Sequence, residues 1–450
     1  LLVGVATVAL AAPAAGKAVA QEAKWQPWLE AGGMIGTDHS FGDVDMFIPV
    51  WQDQTSLLFG DLRGTFTALP TQEGNFGLGY RTQVSPDWIL GGYGFIDIQN
   101  SQHDNLFYQG SIGLEALSVD WDLRLNGYFP FNSGGESTGD KTGHIKISGN
   151  DIGLTHDMEK SLFGFDGEVG WRLPIFPADG DLDVRAFVGG YYFANSDVDT
   201  IAGPRGRLEV RLYDLDFLGV QSRLTFDGEI QWDSPRGTQG FGGLEVRIPL
   251  GAVTGTPGPK LSPLDRRMVD RVQRDVDIVT ETYQSDPSDV IVDGLTVKTH
   301  TIVFAEAGGT GNGTKGNPTS LENAPALAAA KGQNAIIVVE GNNGDFVAGT
   351  DFTQGVQLLP GQVLVGGHSN VLLHDAHGDV QAGFQAPGSR PTLIGTTSSA
   401  NLINLYTGAQ NGVIGLNLSG AFNNGIFGLN GERDVITGNS IAGAVNDGVY

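Results

Sequence analysis

Between residues 25 and 250, apolar and polar side chains alternate with a period of two. Beyond the amino terminus, no stretch approaches the roughly 18 apolar residues that a membrane helix needs. A period of two puts successive side chains on opposite faces of a sheet. Leu182, Val184, Ala186 and Val188 share one face, against Asp183, Arg185 and Phe187. Leu208, Val210 and Leu212 alternate with Glu209, Arg211 and Tyr213, and Leu244, Val246 and Ile248 with Glu245 and Arg247. The pattern predicts strands near 26–36, 42–51, 55–67, 74–83, 87–99, 106–117, 119–130, 162–173, 181–195, 205–215, 218–231 and 238–249.

Aliphatics on one face and charges on the other suit lipid outside and a wet lumen inside. About twelve strands is an even number. The links vary from tight (Leu117-Ser118) to wide (Asn132 to Asp151), as when short periplasmic turns alternate with long outer loops. Aromatics near strand ends suit interfacial girdles: Trp25, Trp28, Trp51, Trp88, Trp121, Trp171, Tyr191, Tyr192, Phe193 and Trp232. A soluble β-sandwich or a periplasmic barrel is the competing outcome of the same alternation.

Composition narrows the choice. Gly occupies 68 of 450 positions, about twice its usual share of ~7%, without a triplet period, which excludes collagen and suits many turns and close packing. A net charge of -25 argues against nucleic-acid binding, which needs a basic patch. The chain has no Cys, so neither disulfides nor thiolate metal sites are available. At the amino terminus, Leu1 to Ala12 has the length of a signal-peptide apolar core, and Ala18-Val19-Ala20 offers cleavage after Ala20. Without an initiator Met or a basic leader, the chain reads as clipped at its start.

Several blocks carry a resemblance. Met46-Phe47-Ile48-Pro49-Val50, Ser56-Leu57-Leu58-Phe59 and Asn75-Phe76-Gly77-Leu78-Gly79-Tyr80-Arg81 are followed by Trp88-Ile89-Leu90-Gly91-Gly92-Tyr93-Gly94-Phe95-Ile96-Asp97. Gly113-Leu114-Glu115 and Leu125-Asn126-Gly127-Tyr128-Phe129-Pro130 complete the series. In order and spacing they resemble the translocator domain of the intimin/invasin proteins, the inverse autotransporters, over about residues 40 to 250. Gly92 and Gly94 depart from the Asn or Ala that family members often carry near the Phe. The resemblance implies a twelve-stranded outer-membrane barrel with a carboxy-terminal passenger, assembled by the barrel-assembly machinery.

After the barrel, Gly251 to Lys260 reads as a flexible break, and Ser262-Pro263-Leu264-Asp265 as a helix start. Met268, Val272 and Val276 recur on one helical face, with Arg266, Arg267, Arg271 and Arg274 and four Asp covering the rest. An even strand count leaves both barrel ends on one side, normally the periplasm, so a chain that reaches the outside must return through the lumen. A mixed-charge helix followed by extended chain suits a polar pore, and the four arginines are the candidate pore-lining residues. An ordinary periplasmic linker helix is the other reading.

From residue 290 onward, charge falls and Gly, Asn and small apolar residues dominate. Thr301–Phe304, Ile336–Val339 and Val363–Val365 read as strands, and Leu321–Lys331 as an Ala-rich helix. Val413-Ile414-Gly415-Leu416-Asn417 resembles Val435-Ile436-Thr437-Gly438-Asn439 at an offset of 22, with Leu393-Ile394-Gly395 preceding the first by 20. Such a period predicts a solenoid. The repeats resemble a right-handed parallel β-helix with the Ala-rich segment as its cap and Asn ladders at its turns. Since the last repeat ends without a polar cap, the passenger is expected to run further.

His368, His374, Asp375, His377 and Asp379 cluster within twelve residues, a spacing that can hold a metal only if the chain folds back. A polar loop is the simpler reading, and no metal site is assigned. Asp345, Asp351, Asp375 and Asp379 are acids of the type polysaccharide-cleaving solenoids use, but the sequence does not bring them together. Gly308–Lys315 lacks the spacing of a phosphate-binding loop.

The expected fold is all-β, an about twelve-stranded antiparallel transmembrane barrel followed by a right-handed parallel β-helix. The expected domains are a signal peptide (1–20), the barrel (21–250), a pore-threading linker (251–289) and a passenger (290–450). The expected function is self-display at the outer membrane for adhesion or invasion contacts, without catalysis or cofactor. The expected partners are outer-membrane lipid and an unidentified host or surface ligand. A porin with a periplasmic β-helix, or a surface polysaccharide-active enzyme, are the competing functions.

Overall fold

The computed structural model describes residues 23–450 except 38, 68–70, 140–142, 276, 333, 354 and 385–387. The proposed cleavage after Ala20 lies outside the described residues. The chain forms two compact units. One comprises the residues up to Glu136 together with Glu159–Thr282, the other Ser137–Met158 together with Tyr283–Tyr450.

The strands of the first part of the chain are β1 (Trp28–Gly36), β2 (Ser40–Gln52), β3 (Ser56–Thr67), β4 (Gln72–Gln83), β5 (Trp88–Asn100), β6 (Leu106–Ser118) and β7 (Trp121–Pro130). Short strands follow: β8 (Glu136–Ser137), β9 (His144–Ser148), β10 (Asp151–Thr155) and β11 (Asp157–Ser161). Then come β12 (Phe163–Arg172), β13 (Leu182–Ala194), β14 (Ile201–Tyr213), β15 (Arg223–Asp233) and β16 (Gly237–Pro249).

Twelve of these, β1–β7 and β12–β16, close into an antiparallel barrel, with Trp28 of β1 in register with Pro249 of β16. All twelve predicted segments are barrel strands. The barrel is inverted relative to a water-soluble one. On β7, Trp121, Leu123, Leu125 and Phe129 face out, while Asp122, Arg124, Asn126 and Tyr128 face in. Leu78 is 63% and Leu114 67% exposed, whereas Arg81 is fully buried. An apolar belt of this extent is costly in water and favourable in lipid. No helix among the described residues is long and apolar enough to cross a membrane.

Inside, charges neutralise one another across adjacent strands or with one strand between. Arg81 pairs with Glu115 at 2.5 Å, Arg124 with Glu168 at 2.6 Å, Arg185 with Asp122 at 2.6 Å and Arg247 with Glu30 at 2.8 Å. The glycines make room on this face. A Cβ on Gly79 would collide with the Phe59 ring, and one on Gly77 with Phe95.

Two expectations need correction. Trp51, Trp121, Trp171, Tyr192 and Trp232 do face outward, but Trp25, Trp28, Tyr191 and Phe193 are buried inside. Tyr191 and Phe193 share the inward face because Tyr192 between them takes the outward one. Trp28 stacks on Phe47 at 5.1 Å. The links do not alternate in length either, since the stretch between β7 and β12 far exceeds the others and carries its own strands.

In the second unit, β9 and β10 form a hairpin whose Asp151 pairs with Thr301. That hairpin edges a sheet whose next members, Thr301–Ala305, Ala335–Val339, Gln362–Gly366, Gly412–Ile414 and Val435–Thr437, run parallel in turn. Two further parallel ladders run beside it. One holds Phe346–Val347, Thr392–Thr396, Asn417–Ala421 and Ser440–Ile441, the other Val356–Gln357, Ile403–Asn404 and Ile426–Phe427. Their inward side chains, among them Val303, Ile337, Leu364, Leu393, Ile403 and Val413, share one apolar core. Helix Ala324–Lys331 packs Ala324 and Ala328 into it.

The register corrects the repeat. Gly412 pairs with Val435 and Val413 with Ile436, one residue off the sequence alignment, and Leu393 pairs with Leu418 in a different ladder. Asn stacking occurs at Asn401 and Asn424, where Nδ2 of Asn424 donates to Oδ1 of Asn401 at 3.0 Å across 23 residues. Asn424 Oδ1 in turn accepts from Asp447 N at 3.1 Å.

Candidate functional site

After an exposed stretch that follows β16, the chain from Leu261 onward lies inside the barrel. Oδ1 of Asp265 accepts a hydrogen bond from Gln83, the last residue of β4, at 2.9 Å. The amide of Ile278 donates to Glu73, near the start of β4, at 2.8 Å. The chain between them therefore traverses the lumen along the length of that strand. It starts at the barrel end where β1 begins and β16 stops, and it leaves at the opposite end, where Thr280 donates to Glu159 at 2.9 Å.

The helix here is short. Ser262 caps it, its Oγ accepting from the amide of Asp265 at 3.2 Å, but helix stops at Met268 instead of continuing to residue 276. Past that point, lumen side chains satisfy carbonyls that a helix would have used. Arg81 donates to the carbonyls of Met268 at 3.0 Å and Asp270 at 2.6 Å. Trp28 and Arg247 donate to Val269 at 3.1 and 2.9 Å, Arg63 to Val272 at 3.1 Å, and Tyr93 and Asn126 to Gln273 at 3.2 Å each. Leu261, Met268, Val269 and Val272 pack against Trp25, Trp28, Phe47, Phe59 and Phe95.

All four candidate arginines are buried in this segment, and each reaches a different part of the barrel wall. Arg266 binds Asp181 at 3.2 Å and Asp214 at 3.0 Å. Arg267 pairs with Asp122 and Asp270. Arg271 pairs with Asp43 and Glu245, and with Asp45 at 3.1 Å. Arg274 meets Asp97 at 2.6 Å and lies 4.3 Å from the centre of the Phe95 ring. Asp270 supplies the reverse polarity, accepting from Arg211 at 3.2 Å and Arg223 at 2.9 Å. A cavity of ≈ 260 Å³ remains beside the segment, lined by Asp43, Glu168, Arg207, Asp227, Glu245 and Arg271 among others. The partners on the barrel wall, Asp43, Asp45, Asp97, Asp122, Asp181, Asp214 and Glu245, are scattered along the sequence between positions 43 and 245, and only barrel closure gathers them around the arginines.

In the second unit, the five-residue His/Asp cluster divides. His374 and Asp379 face each other across a hairpin, and His368 is exposed in a turn. Asp375 and His377 meet His156, which no spacing in the sequence connects to them. Burial works to raise the pKa of Asp375, but hydrogen bonds from Ser288, His377 N, His156 and Gly378 N hold it down at about 2. Asp351 is engaged by the amides of Gly308 at 3.1 Å and Val347 at 2.8 Å. The Gly308–Lys315 run is a turn in which Thr314 bridges Asn317.

Among solved structures, a chain from work on the in-meso crystallization of membrane proteins is 19% identical, covering 57% of this chain and 100% of that one at a TM-score of 0.43. An outer membrane channel from Pseudomonas putida F1 is 8% identical, covering 52% and 99% at 0.37. KdgM porin is 8% identical, covering 49% and 98% at 0.29. At these scores the likenesses carry no weight beyond the barrel seen directly. No curated protein matches the chain. Residues 21–197 match the family described as inverse autotransporter, beta-domain. With its apolar belt, charged lumen and twelve closed strands, the chain carries an inverse autotransporter β-domain, an outer-membrane anchor.

Proposed function

We propose that this barrel exports and then holds the chain's own carboxy-terminal segment at the cell surface. The observation that carries the reading is the traverse of residues 265–278 through the lumen, between the two ends of β4. Both ends of the barrel sequence lie on one side, so a chain crossing the lumen emerges on the other. The arginines then serve as pore-linker residues, anchoring the thread once transport is over. The parallel ladders and their shared core support reading residues 290–450 as a right-handed β-helix passenger, and residues 251–289 as the linker that leads to it. A solenoid offers a long repeated surface, which suits contacts of the adhesion or invasion type with a host or surface ligand.

A porin with a periplasmic β-helix is the competing function, and the occupied lumen argues against it. An epitope tag near Asn430 and protease applied to intact cells distinguish the two. Loss of the tag, with the barrel retained in the outer membrane, is the expected result. A tag cleaved only after the outer membrane is permeabilised would overturn the proposal.

A further inference from the structure

His156 follows strand β10, while Asp375 and His377 lie in the turn between strands Asn370–His374 and Asp379–Gly383. The side chains of His156 and Asp375 are each 3% exposed. Nε2 of His156 lies 3.0 Å from Oδ2 of Asp375, and Nδ1 of His377 lies 3.7 Å from the same oxygen. One donor atom from each of the three residues falls within 4.8 Å of the others. Donors bonded at about 2.0–2.1 Å to a tetrahedral ion stand about 3.3 Å apart, between those two separations.

The carboxylate is already oriented. Its Oδ1 accepts from the amides of His377 at 2.7 Å and Gly378 at 3.0 Å, and its Oδ2 from Ser288 Oγ. Oδ2 is also the oxygen that lies near both rings, 3.0 Å from Nε2 of His156 and 3.7 Å from Nδ1 of His377. The ring of His377 sits 5.6 Å from that of His156, and its side chain is 61% exposed, so it can close on an ion without disturbing the core.

We propose that His156, Asp375 and His377 bind a divalent late transition-metal ion, zinc foremost, with water in the fourth position. Two imidazoles and one carboxylate form a borderline N/O donor set that suits zinc better than calcium or magnesium. In the complex His156 gives the Nε2 lone pair to the metal and keeps its one ring proton on Nδ1, while His377 binds through Nδ1 and keeps its proton on Nε2, so both imidazoles are neutral. Ser288 and the two backbone amides act as positioning groups for the carboxylate. The ion fastens the end of the β9–β10 hairpin to a turn 219 residues further along the chain.

The test uses the full chain in detergent, without a histidine tag and stripped by chelator. Zinc chloride is titrated calorimetrically, and bound metal is measured after gel filtration. One equivalent of zinc is expected, with a rise in the melting temperature of the second unit and no saturable binding of calcium. His377→Ala, at an exposed side chain, is expected to bind zinc at least tenfold more weakly while the metal-free protein melts as wild type does. Absence of saturable zinc binding by the wild-type chain would overturn the proposal, and so would unchanged affinity in His377→Ala.

Discussion

Buried charges such as Arg81, Arg124, Arg185 and Arg247 are tolerated because each is placed against a carboxylate. A buried carboxylate without a partner behaves differently, and Glu340 is the example. It is almost fully buried, its Oε1 has no hydrogen-bond partner, and burial, with Glu306 nearby, pushes its pKa up to about 7. Folding therefore favours the protonated form. The stability this contributes is fully present below the ordinary carboxyl range near 4.5 and is lost as pH rises through about 7. Glu340→Gln should melt like wild type at pH 4.5 and at a higher temperature at pH 8. Thermal melts across that interval check this, and parallel curves for the two proteins would refute it.

At the scale of elements, hydrogen-bond supply decides where helix ends. Residues 262–268 obey local rules, with a Ser cap and a Pro in the first turn. Beyond Met268 the lumen offers more donors to the backbone than a helix would, and the chain opens to take them. Another element depends on a distant partner in the same way. The β9–β10 hairpin arises within the long link between β7 and β12, yet Ile152 and Leu154 sit in an apolar core with Ile302, Phe304 and Ile336. Leu154 is fully buried there. Leu154→Ala should cost about 2–5 kcal/mol, the usual range for such a truncation. Denaturant unfolding followed by proteolysis of the second unit measures it, and an unchanged unfolding midpoint would remove the hairpin from that core.

For the whole molecule, the barrel and its thread form one electrostatic system. Arg271 and Arg274 bridge the thread to Asp43, Asp45, Glu245 and Asp97, which belong to β2, β16 and β5. Removing one partner of a buried, hydrogen-bonded pair costs about 3–5 kcal/mol. Arg271→Ala with Arg274→Ala should loosen the thread. In planar bilayers the wild-type chain should then be mostly closed, and the double variant should show frequent openings of larger conductance. Equal conductance in the two would mean that other contacts hold the plug.

What the sequence determined by itself is the barrel. All twelve strands were legible because lipid and a wet lumen impose opposite demands on alternate residues, and that demand is local and periodic. The charge of Arg266, Arg267, Arg271 and Arg274 is visible in the sequence without its partners, whereas their burial is seen only in the structure. Tertiary structure alone decided the rest. Which aromatics face the lumen depends on strand phase, so Trp28 and Phe193 turn inward while Trp121 faces out. The 23-residue register at Gly412 and Val435 depends on how turns close, which a near-repeat in sequence does not show. The meeting of His156 with Asp375 and His377 spans 219 positions. Contacts of that kind are products of chain closure, and no pattern between neighbouring residues encodes them.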